Sequence, residues 1–239
     1  MQLNKYIALC GVTSRRKANA IIHQGRVSVN DEVVETLGRV VDSEKDIVCL
    51  DSQRLQPPQR YRYVLMNKPD GAITSVLDGR GRKTVLDFVD GDDRIFPVGR
   101  LDYDTEGVLL LTNDGELAYR LTHPKYEMEK VYEAWVEGRV HQNDLQKLTD
   151  GIVLNGGVRV RGEARILGRR GGQTLVEIRV HEGKKRQIKR MMKAVDHPVV
   201  ALRRTHFAGL TVDGLDTGEY RDLTAGEVEA LYRQVGLSC

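Results

Sequence analysis

The sequence contains no apolar segment long enough to cross a membrane. No unbroken aliphatic run exceeds four residues, the length reached at residues 108–111, whereas a spanning helix needs about 20 consecutive apolar residues. Residues 1–5 also lack the apolar core of a secretory signal. We therefore expect a soluble, unexported protein that acts in the cytoplasm and has no membrane partner.

The sequence is also poor in the motifs of several enzyme classes. It contains no GxxxxGK[ST] loop, no GxSxG and no CxxC motif, and its six histidines show neither HExxH nor another paired-ligand spacing. Cys10, Cys49 and Cys239 are an odd number of cysteines at no metal-ligand spacing. They are predicted to be reduced structural thiols, and no metal site is predicted.

Charge is segregated along the chain, although the net charge is only +3. Residues 183–195 contain six basic side chains and no acid, whereas residues 213–229 contain six acids and one base. Residues 1–30 contain no acid and five basic side chains: Lys5, Arg15, Arg16, Lys17 and Arg26. Either basic segment alone fits a solvated helix face equally well, but the two together favour a nucleic-acid partner.

The hydrophobic pattern divides the chain into two modules. Residues 3–9 and 15–23 are predicted helices. The second is capped by Ser14 and carries a buried stripe at Ala18, Ile21 and Ile22. Short strands complete a module at residues 1–50. Residues 51–60 are polar, contain Pro57-Pro58 and are predicted to be a linker. Residues 61–239 mix strands and helices without regular alternation. This mixture predicts an α+β fold with a largely antiparallel sheet.

A polar turn precedes the apolar strand at residues 108–111 and contains three acids, Asp102, Asp104 and Glu106. The spacing resembles half of a calcium loop, but Asn113 stands where the bidentate glutamate belongs, and apolar residues fill the positions between. A metal site is therefore disfavoured. A solvated turn and a catalytic carboxylate both remain possible interpretations.

Two further residue types have both a structural and a functional interpretation. The predicted helix 187–195 buries one apolar face, which consists of Ile188, Met191, Met192 and Val195. Lys185 and Lys189 lie at the flank of this face. A lysine there either extends its ammonium to water or binds a buried carboxylate. Tyr132 in the predicted strand 130–137 either packs in the core or stacks on a base.

The ordered set of motifs resembles a known family. Residues 3–8, 14–18 and 25–30 resemble the S4 RNA-binding domain. The rest resembles the RsuA/RluB family of pseudouridine synthases, through five motifs in the family's order: residues 65–71 (LMNKPDG), 99–115, 130–132 (KVY), 182–191 (EGKKRQIKRM) and 202–204 (LRR).

The resemblance implies roles for individual residues. It places the family's catalytic aspartate at Asp102, the basic partner of that aspartate at Lys189 and the base-stacking tyrosine at Tyr132. Arg100 corresponds to the arginine that fills the space left by a flipped base. A salt bridge from Arg100 to Asp104 or Glu106 is the structural alternative.

The implied activity is isomerisation of uridine to pseudouridine in ribosomal RNA or in a precursor of a ribosomal subunit. An isomerisation needs no redox cofactor and no metal. The implied RNA contacts are Lys5, Arg15, Arg16, Lys17, Arg26, Lys185 and Arg186. We expect a monomer acting on large-subunit RNA. The alternatives are a small-subunit enzyme, a non-catalytic S4 RNA-binding protein and a metal-dependent nuclease that uses Asp102, Asp104 and Glu106.

Overall fold

The structure is a computed structural model that describes residues 1–91 and 93–238. The chain folds into two compact units. Met1–Arg62 and Asn113–Gly115 form the first, and Tyr63–Thr112 with the chain from Glu116 onward form the second. Cys10 and Cys49 are free thiols, as predicted, while Cys239 lies outside the described residues. No helix in the described ranges is both long and apolar enough to span a bilayer.

The first unit packs two helices on a small antiparallel sheet. Its elements are α1 (Leu3–Leu9), α2 (Arg15–His23), β1 (Val27–Val29), β2 (Glu32–Val33), β3 (Val48–Leu50) and β4 (Gln53–Arg54), and the strand order is β2-β1-β3-β4. Ser14 caps α2 by accepting a hydrogen bond from the Lys17 N–H at 3.3 Å. Ala18 and Ile22 face the core, which confirms the predicted buried stripe.

The segment expected to be a linker, residues 51–60, is partly ordered into this sheet. Asp51 and Ser52 have φ angles of 47° and 65°, so they form a tight turn that returns β4 against β3. Both residues of β4 are exposed, so this strand is polar in sequence. That polar composition led to the prediction of a linker.

The remaining elements in the described residues, eleven strands and four α-helices, belong to the second unit, except that Gly115, the first residue of α3, is grouped with the first. They are β5 (Tyr63–Lys68), β6 (Phe96–Pro97), β7 (Glu106–Thr112), α3 (Gly115–Thr122), β8 (Lys130–Glu137), α4 (Gln142–Asp150), β9 (Ile152–Leu154), β10 (Val158–Val160), β11 (Glu163–Arg170), β12 (Gln173–Val180), α5 (Gln187–Ala194), β13 (Val199–Phe207), β14 (Leu210–Thr211), β15 (Tyr220–Asp222) and α6 (Ala225–Gln234).

Nine of these strands form one sheet in the order β11-β12-β8-β13-β7-β5-β15, with β14 added to β13 and β6 added to β7. The β13–β7 pair is parallel, and the other recorded pairs are antiparallel. The prediction of an α+β fold with a largely antiparallel sheet is therefore confirmed. The strands β9 and β10 form a separate hairpin.

The strand β7 lies at the centre of the hydrophobic core. Its residues 108–111 are fully buried and alternate between two core clusters on opposite faces of the sheet. The helix α5 buries Ile188, Met191 and Met192, and Val195 is buried just beyond its end. The predicted apolar face of this helix is therefore confirmed.

Candidate active site

Asp102 lies on a short turn between β6 and β7. The turn is closed by the Thr105 N–H, which donates to the Asp102 carbonyl oxygen at 3.1 Å. The next residues enter β7, the most deeply buried strand of the sheet. Asp102 itself is half-buried. A side chain at the end of such a strand is held in place because the strand cannot shift without disrupting the core.

Hydrogen bonds from neighbouring segments fix the backbone of this turn. The Thr74 hydroxyl donates to the Leu101 carbonyl at 2.8 Å and accepts from the Leu101 N–H at 3.3 Å. The Gly71 N–H donates to the Tyr103 carbonyl at 3.0 Å. The residues on either side of Asp102 are therefore tied to the segment that follows β5.

Lys68, at the end of β5, holds the backbone of the same turn through hydrogen bonds. Its side chain is fully buried, and its ammonium donates to the carbonyls of Pro69 (2.9 Å), Tyr103 (3.3 Å) and Thr105 (2.9 Å). Burial lowers the pKa of Lys68 to about 8, although nearby carboxylates, Asp102 among them, raise it in part. Lys68 belongs to one of the sequence motifs, but its role could not be predicted because its partners are backbone carbonyls.

Gly107 allows β7 and β13 to approach each other. Its φ is +104°, and a Cβ atom at this position would lie 2.1 Å from the Arg204 carbonyl oxygen. Only glycine fits where a backbone passes this close. The close approach fixes the parallel register in which Arg203 faces Glu106 and Arg204 faces Gly107.

A cavity of about 340 Å³ opens beside Asp102. Its wall includes Arg100, Asp102, Tyr132, Lys185 and Arg186, five of the residues singled out from the sequence. Tyr132, on β8, is half-buried and lies opposite Arg204 of β13. The structure therefore places the predicted carboxylate and the predicted stacking tyrosine at one cavity.

The cavity wall also contains two cations to which the sequence alone assigned no role. The Arg204 guanidinium is buried, donates twice to the Val108 carbonyl (2.9 and 2.7 Å) and lies 4.7 Å from the centre of the Phe207 ring. The Lys130 ammonium donates to the Met128 carbonyl at 2.6 Å. Burial, and then the charge of Arg204, lower the pKa of Lys130 to about 8. Crowded cations favour an anionic ligand.

Lys189 does not contact Asp102 in this structure. Its ammonium lies 2.5 Å from Oδ1 of Asp104, two residues further along the same turn. Lys189 is also absent from the cavity wall that contains Asp102. The expected pairing of Lys189 with Asp102 is therefore replaced by a pairing with Asp104, because the turn directs Asp104 towards α5.

Arg100 makes no salt bridge to Asp104 or Glu106 within the described ranges, so the structural alternative for this residue is not observed. Arg186 begins α5 with a left-handed φ of 51°. The side chain of Gln187 secures the preceding loop, since it accepts from the Lys184 N–H at 2.9 Å and donates to Glu182 at 3.2 Å. These bonds hold Lys184, Lys185 and Arg186 along the cavity.

The predicted RNA-contacting residues of the first unit lie largely at its surface. Arg15, Arg16 and Lys17 are exposed in the first turn of α2, where a helix dipole disfavours cations. Lys5 is half-buried, and Arg26 is exposed but paired with Asp51. Three cations at the start of a helix, in a turn that contains no acid, indicate a role other than helix stability.

No group of three or more His, Cys, Asp or Glu side chains that could hold a metal occurs among the residues the structure describes. Asp102, Asp104 and Glu106 therefore do not converge as a three-carboxylate cluster. The turn directs Asp104 towards Lys189 and leaves Asp102 at the cavity.

Comparisons with known proteins identify the family to which this chain is similar. A family model described as RNA pseudouridylate synthase matches residues 62–194, and the S4 domain model matches residues 1–48. The chain is 43% identical to ribosomal large subunit pseudouridine synthase B of Bacillus subtilis (strain 168), covering 96% of this chain and 95% of the relative.

Two further matches extend the comparison. Ribosomal small subunit pseudouridine synthase A of Vibrio cholerae serotype O1 is 35% identical over 98% of this chain and 100% of its own. A crystal structure of a pseudouridylate synthase superposes with a TM-score of 0.70 at 31% identity, covering 97% of this chain and 99% of the other.

The protein is thus an RNA-modifying enzyme with an S4 domain at its amino-terminal end. More particularly, the chain belongs to the RNA pseudouridylate synthase family, in the branch that contains the RsuA and RluB enzymes.

Proposed function

We propose that this enzyme converts a uridine of large-subunit ribosomal RNA to pseudouridine, with Asp102 as its catalytic carboxylate. The observation that carries the proposal is the position of Asp102, which is held on a rigid turn at the wall of the 340 Å³ cavity. That volume is in the range of small-ligand sites, about 300–1,000 Å³.

A stacked uridine cannot reach this carboxylate, so the target nucleotide must leave the RNA helix. Flipping a base out costs a few kcal/mol. In the proposal the ring of Tyr132 stacks on the flipped uracil, and Arg100 fills the space that the base vacates. Both side chains line the same cavity as Asp102.

The reaction is an isomerisation that balances without a co-reactant. The N1–C1′ bond of uridine breaks, the uracil rotates within the cavity, and a C5–C1′ bond forms. C5 loses a proton, and N1 gains one. Asp102 acts at the ribose as a nucleophile or as a base, and either role requires the ionised carboxylate.

Binding energy comes from the phosphate backbone. Lys185 and Arg186 lie at the cavity, and in the proposal they contact the phosphates beside the flipped nucleotide. Lys5, Arg15, Arg16, Lys17 and Arg26 of the S4 domain contact the RNA elsewhere. Such contacts position an RNA without reading its sequence. Lys189 contributes through Asp104, the carboxylate that it contacts.

The large-subunit target rests on sequence similarity. The chain is 43% identical to the large-subunit enzyme of Bacillus subtilis and 35% identical to the small-subunit enzyme of Vibrio cholerae. We place the reaction in the cytoplasm, where bacterial ribosomes assemble, and expect the enzyme to act as a monomer.

Pseudouridine mapping of both ribosomal RNAs, from cells with and without this protein, tests the target. Loss of one pseudouridine from the large-subunit RNA is expected. Loss from the small-subunit RNA alone contradicts the assignment of the subunit but not the reaction.

The catalytic residue is tested by Asp102→Asn, which keeps the shape of the side chain and removes its charge. Release of tritium from RNA that contains 5-tritiated uridine should fall to background, while RNA affinity stays within a few-fold of the parent. Asp213→Asn, at an exposed aspartate of the same unit, is the control. Tritium release by Asp102→Asn at the parent rate contradicts the assignment of Asp102 as the catalytic carboxylate. In a separate assay, activity of the parent that persists with a chelator excludes the metal-dependent alternative.

A further inference from the structure

The hydroxyl of Thr105 is a buried polar group with no hydrogen-bond partner in the part of the chain that the structure describes. Thr105 is 2% exposed, and its Oγ1 atom has no hydrogen bond within residues 1–91 and 93–238. Both backbone groups of the residue are used: the N–H donates to the Asp102 carbonyl at 3.1 Å, and the carbonyl accepts from Lys68 at 2.9 Å. Folding therefore fixes this residue and leaves only its hydroxyl unsatisfied.

An unsatisfied hydroxyl of this kind is unfavourable. Removing a hydroxyl from water without a compensating hydrogen bond destabilises the folded state, and buried polar groups in folded proteins nearly always have a partner. A valine, which has the same shape, would avoid the penalty. The threonine is thus explained by an interaction that forms in another state of the enzyme.

The acceptor for that interaction lies in the same four-residue turn. Asp102 and Thr105 are the first and last residues of the turn and both belong to the cavity wall. The carboxylate of Asp102 accepts no hydrogen bond from the residues that the structure describes. Lys189, the cation expected to pair with Asp102, is bound to Asp104. One turn therefore holds both an unpaired donor and an unpaired acceptor.

Occupation of the cavity changes the environment of this carboxylate. In the free enzyme water solvates the half-buried Asp102. A nucleotide that fills the cavity displaces this water, and the carboxylate then needs another hydrogen-bond donor in place of the solvent. A change in χ1 of Thr105 redirects its hydroxyl without moving the backbone of the turn.

We propose that Thr105 is a positioning residue whose hydroxyl donates to the Asp102 carboxylate when a nucleotide occupies the cavity, replacing the displaced water and orienting the carboxylate. This inference rests on the proposed role of Asp102. The hydrogen bond forms only in the loaded enzyme, so it does not stabilise the free protein. Because it orients the carboxylate for reaction, its loss is expected to lower kcat.

The test compares two threonines whose hydroxyls are both buried. Thr105→Val removes the unpaired hydroxyl, and Thr105→Ser keeps it. Thr174→Val is the control, because Thr174 lies outside the cavity wall, donates to the Gly138 carbonyl at 2.8 Å and accepts from the Val140 N–H at 3.2 Å. Thermal unfolding and steady-state kinetics are measured on full-length protein.

Opposite results are expected for the two valine variants. Thr105→Val should keep or raise Tm and lower kcat roughly ten- to a hundredfold, as for a hydrogen bond to a charged group, with KM nearly unchanged. Thr105→Ser should recover most of kcat. Thr174→Val should lower Tm by several degrees, because it leaves buried partners unsatisfied, and should keep the parent kcat below its Tm.

Three outcomes overturn the inference: a parent-like kcat for Thr105→Val, a Thr105→Ser variant as slow as the valine variant, or a fall in Tm for Thr105→Val as large as that of Thr174→Val. Asp102→Asn is assayed in parallel. If Asp102→Asn is inactive while Thr105→Val is normal, only the role of Thr105 fails. If Asp102→Asn is active, the proposed function of Asp102 fails first.

Discussion

The ammonium of Lys189 lies 2.5 Å from Oδ1 of Asp104. The side chain of Lys189 is 13% exposed and that of Asp104 is 55% exposed, so a largely buried cation is neutralised by a carboxylate at the surface of the turn. The hydrogen bond from Lys189 lowers the pKa of Asp104 below its usual value. The pair ties the turn that carries Asp102 to α5, while Lys68 holds its backbone from β5.

If Lys189 acts through Asp104, the effects of mutating the two residues will not add. Lys189→Ala should lower kcat more than it weakens RNA binding. Asp104→Asn should also lower kcat, and the double variant should be no slower than Lys189→Ala, because each change removes the same ion pair. Lys193→Ala, at an exposed position of the same helix, is the control. Additive reductions of kcat would show that the two residues act independently.

The amino-terminal cations of α2 provide a second test, because RNA binding and helix stability place opposite demands on them. Arg15, Arg16 and Lys17 lie where the helix dipole is unfavourable to positive charge. Changing all three to glutamine should keep or raise Tm. It should also reduce the slope of log K against log salt for RNA binding, by about 0.7–0.9 for each phosphate that these side chains neutralise in the parent complex.

Arg233→Gln is the matched control, since Arg233 is an exposed arginine of α6 paired with Glu229. It should leave the salt slope unchanged. An unchanged slope in the triple variant would contradict the assignment of these residues as phosphate contacts.

The regular parts of the fold were predictable because each depends on a local pattern. Ser14 with the stripe at Ala18 and Ile22 defined α2, and the spacing of apolar residues defined the buried face of α5. The helix α6 was missed, although its capping box, Thr224 with Glu227, is present in the sequence. The strand β13 was also missed. Two register shifts interrupt its pairing with β8, so its burial does not alternate regularly.

The details of the site depend on distant backbone and could not be predicted in this way. Lys68 is held by three carbonyl oxygens, which leave no mark in the sequence. The path of the turn decides whether Lys189 reaches Asp102 or Asp104. This path is fixed from another segment, by hydrogen bonds from Thr74 and Gly71. The orphaned hydroxyl of Thr105 is visible only once the surrounding atoms are placed.

The depressed pKa of Lys130, about 8, predicts that RNA affinity depends on pH. At pH 7 the ammonium is charged, and at pH 9 most of it is neutral in the free enzyme. A phosphate at the cavity favours the charged form, so binding should take up a proton near pH 8 and weaken as pH rises from about 7 to about 9. Calorimetry in buffers of different ionisation enthalpy measures this uptake.

Two variants isolate the contribution of Lys130. Lys130→Arg keeps a charge that does not titrate in this range, so it should bind RNA with less pH dependence than the parent. Lys130→Gln should bind more weakly at pH 7 and should also have little pH dependence. Parent-like proton uptake by Lys130→Gln would assign the titration to another group.

Lys130 also affects the pH dependence of stability. Its folded-state pKa of about 8 lies below the ordinary lysine value of 10.5 that the unfolded chain retains. Between these two values the unfolded chain binds more protons, so the contribution of Lys130 to the free energy of unfolding rises with pH. The free energy of unfolding of the parent, relative to Lys130→Gln, should therefore increase between pH 8 and pH 10. A constant difference would mean that Lys130 titrates alike in both states.

The close approach of β7 and β13 makes Gly107 highly sensitive to substitution by alanine. At Gly107 a Cβ would meet the Arg204 carbonyl oxygen at 2.1 Å, on a backbone with φ of +104°. Neither strand can move away without opening the central core, so Gly107→Ala should lower the free energy of unfolding by more than about 4 kcal/mol. Gly115→Ala is the control, because nothing lies within 4 Å of its Cβ position and the residue begins α3. It should change the free energy of unfolding by less than about 1 kcal/mol. Urea unfolding distinguishes the two variants, and equal effects would contradict the tight parallel packing on which the position of Asp102 depends.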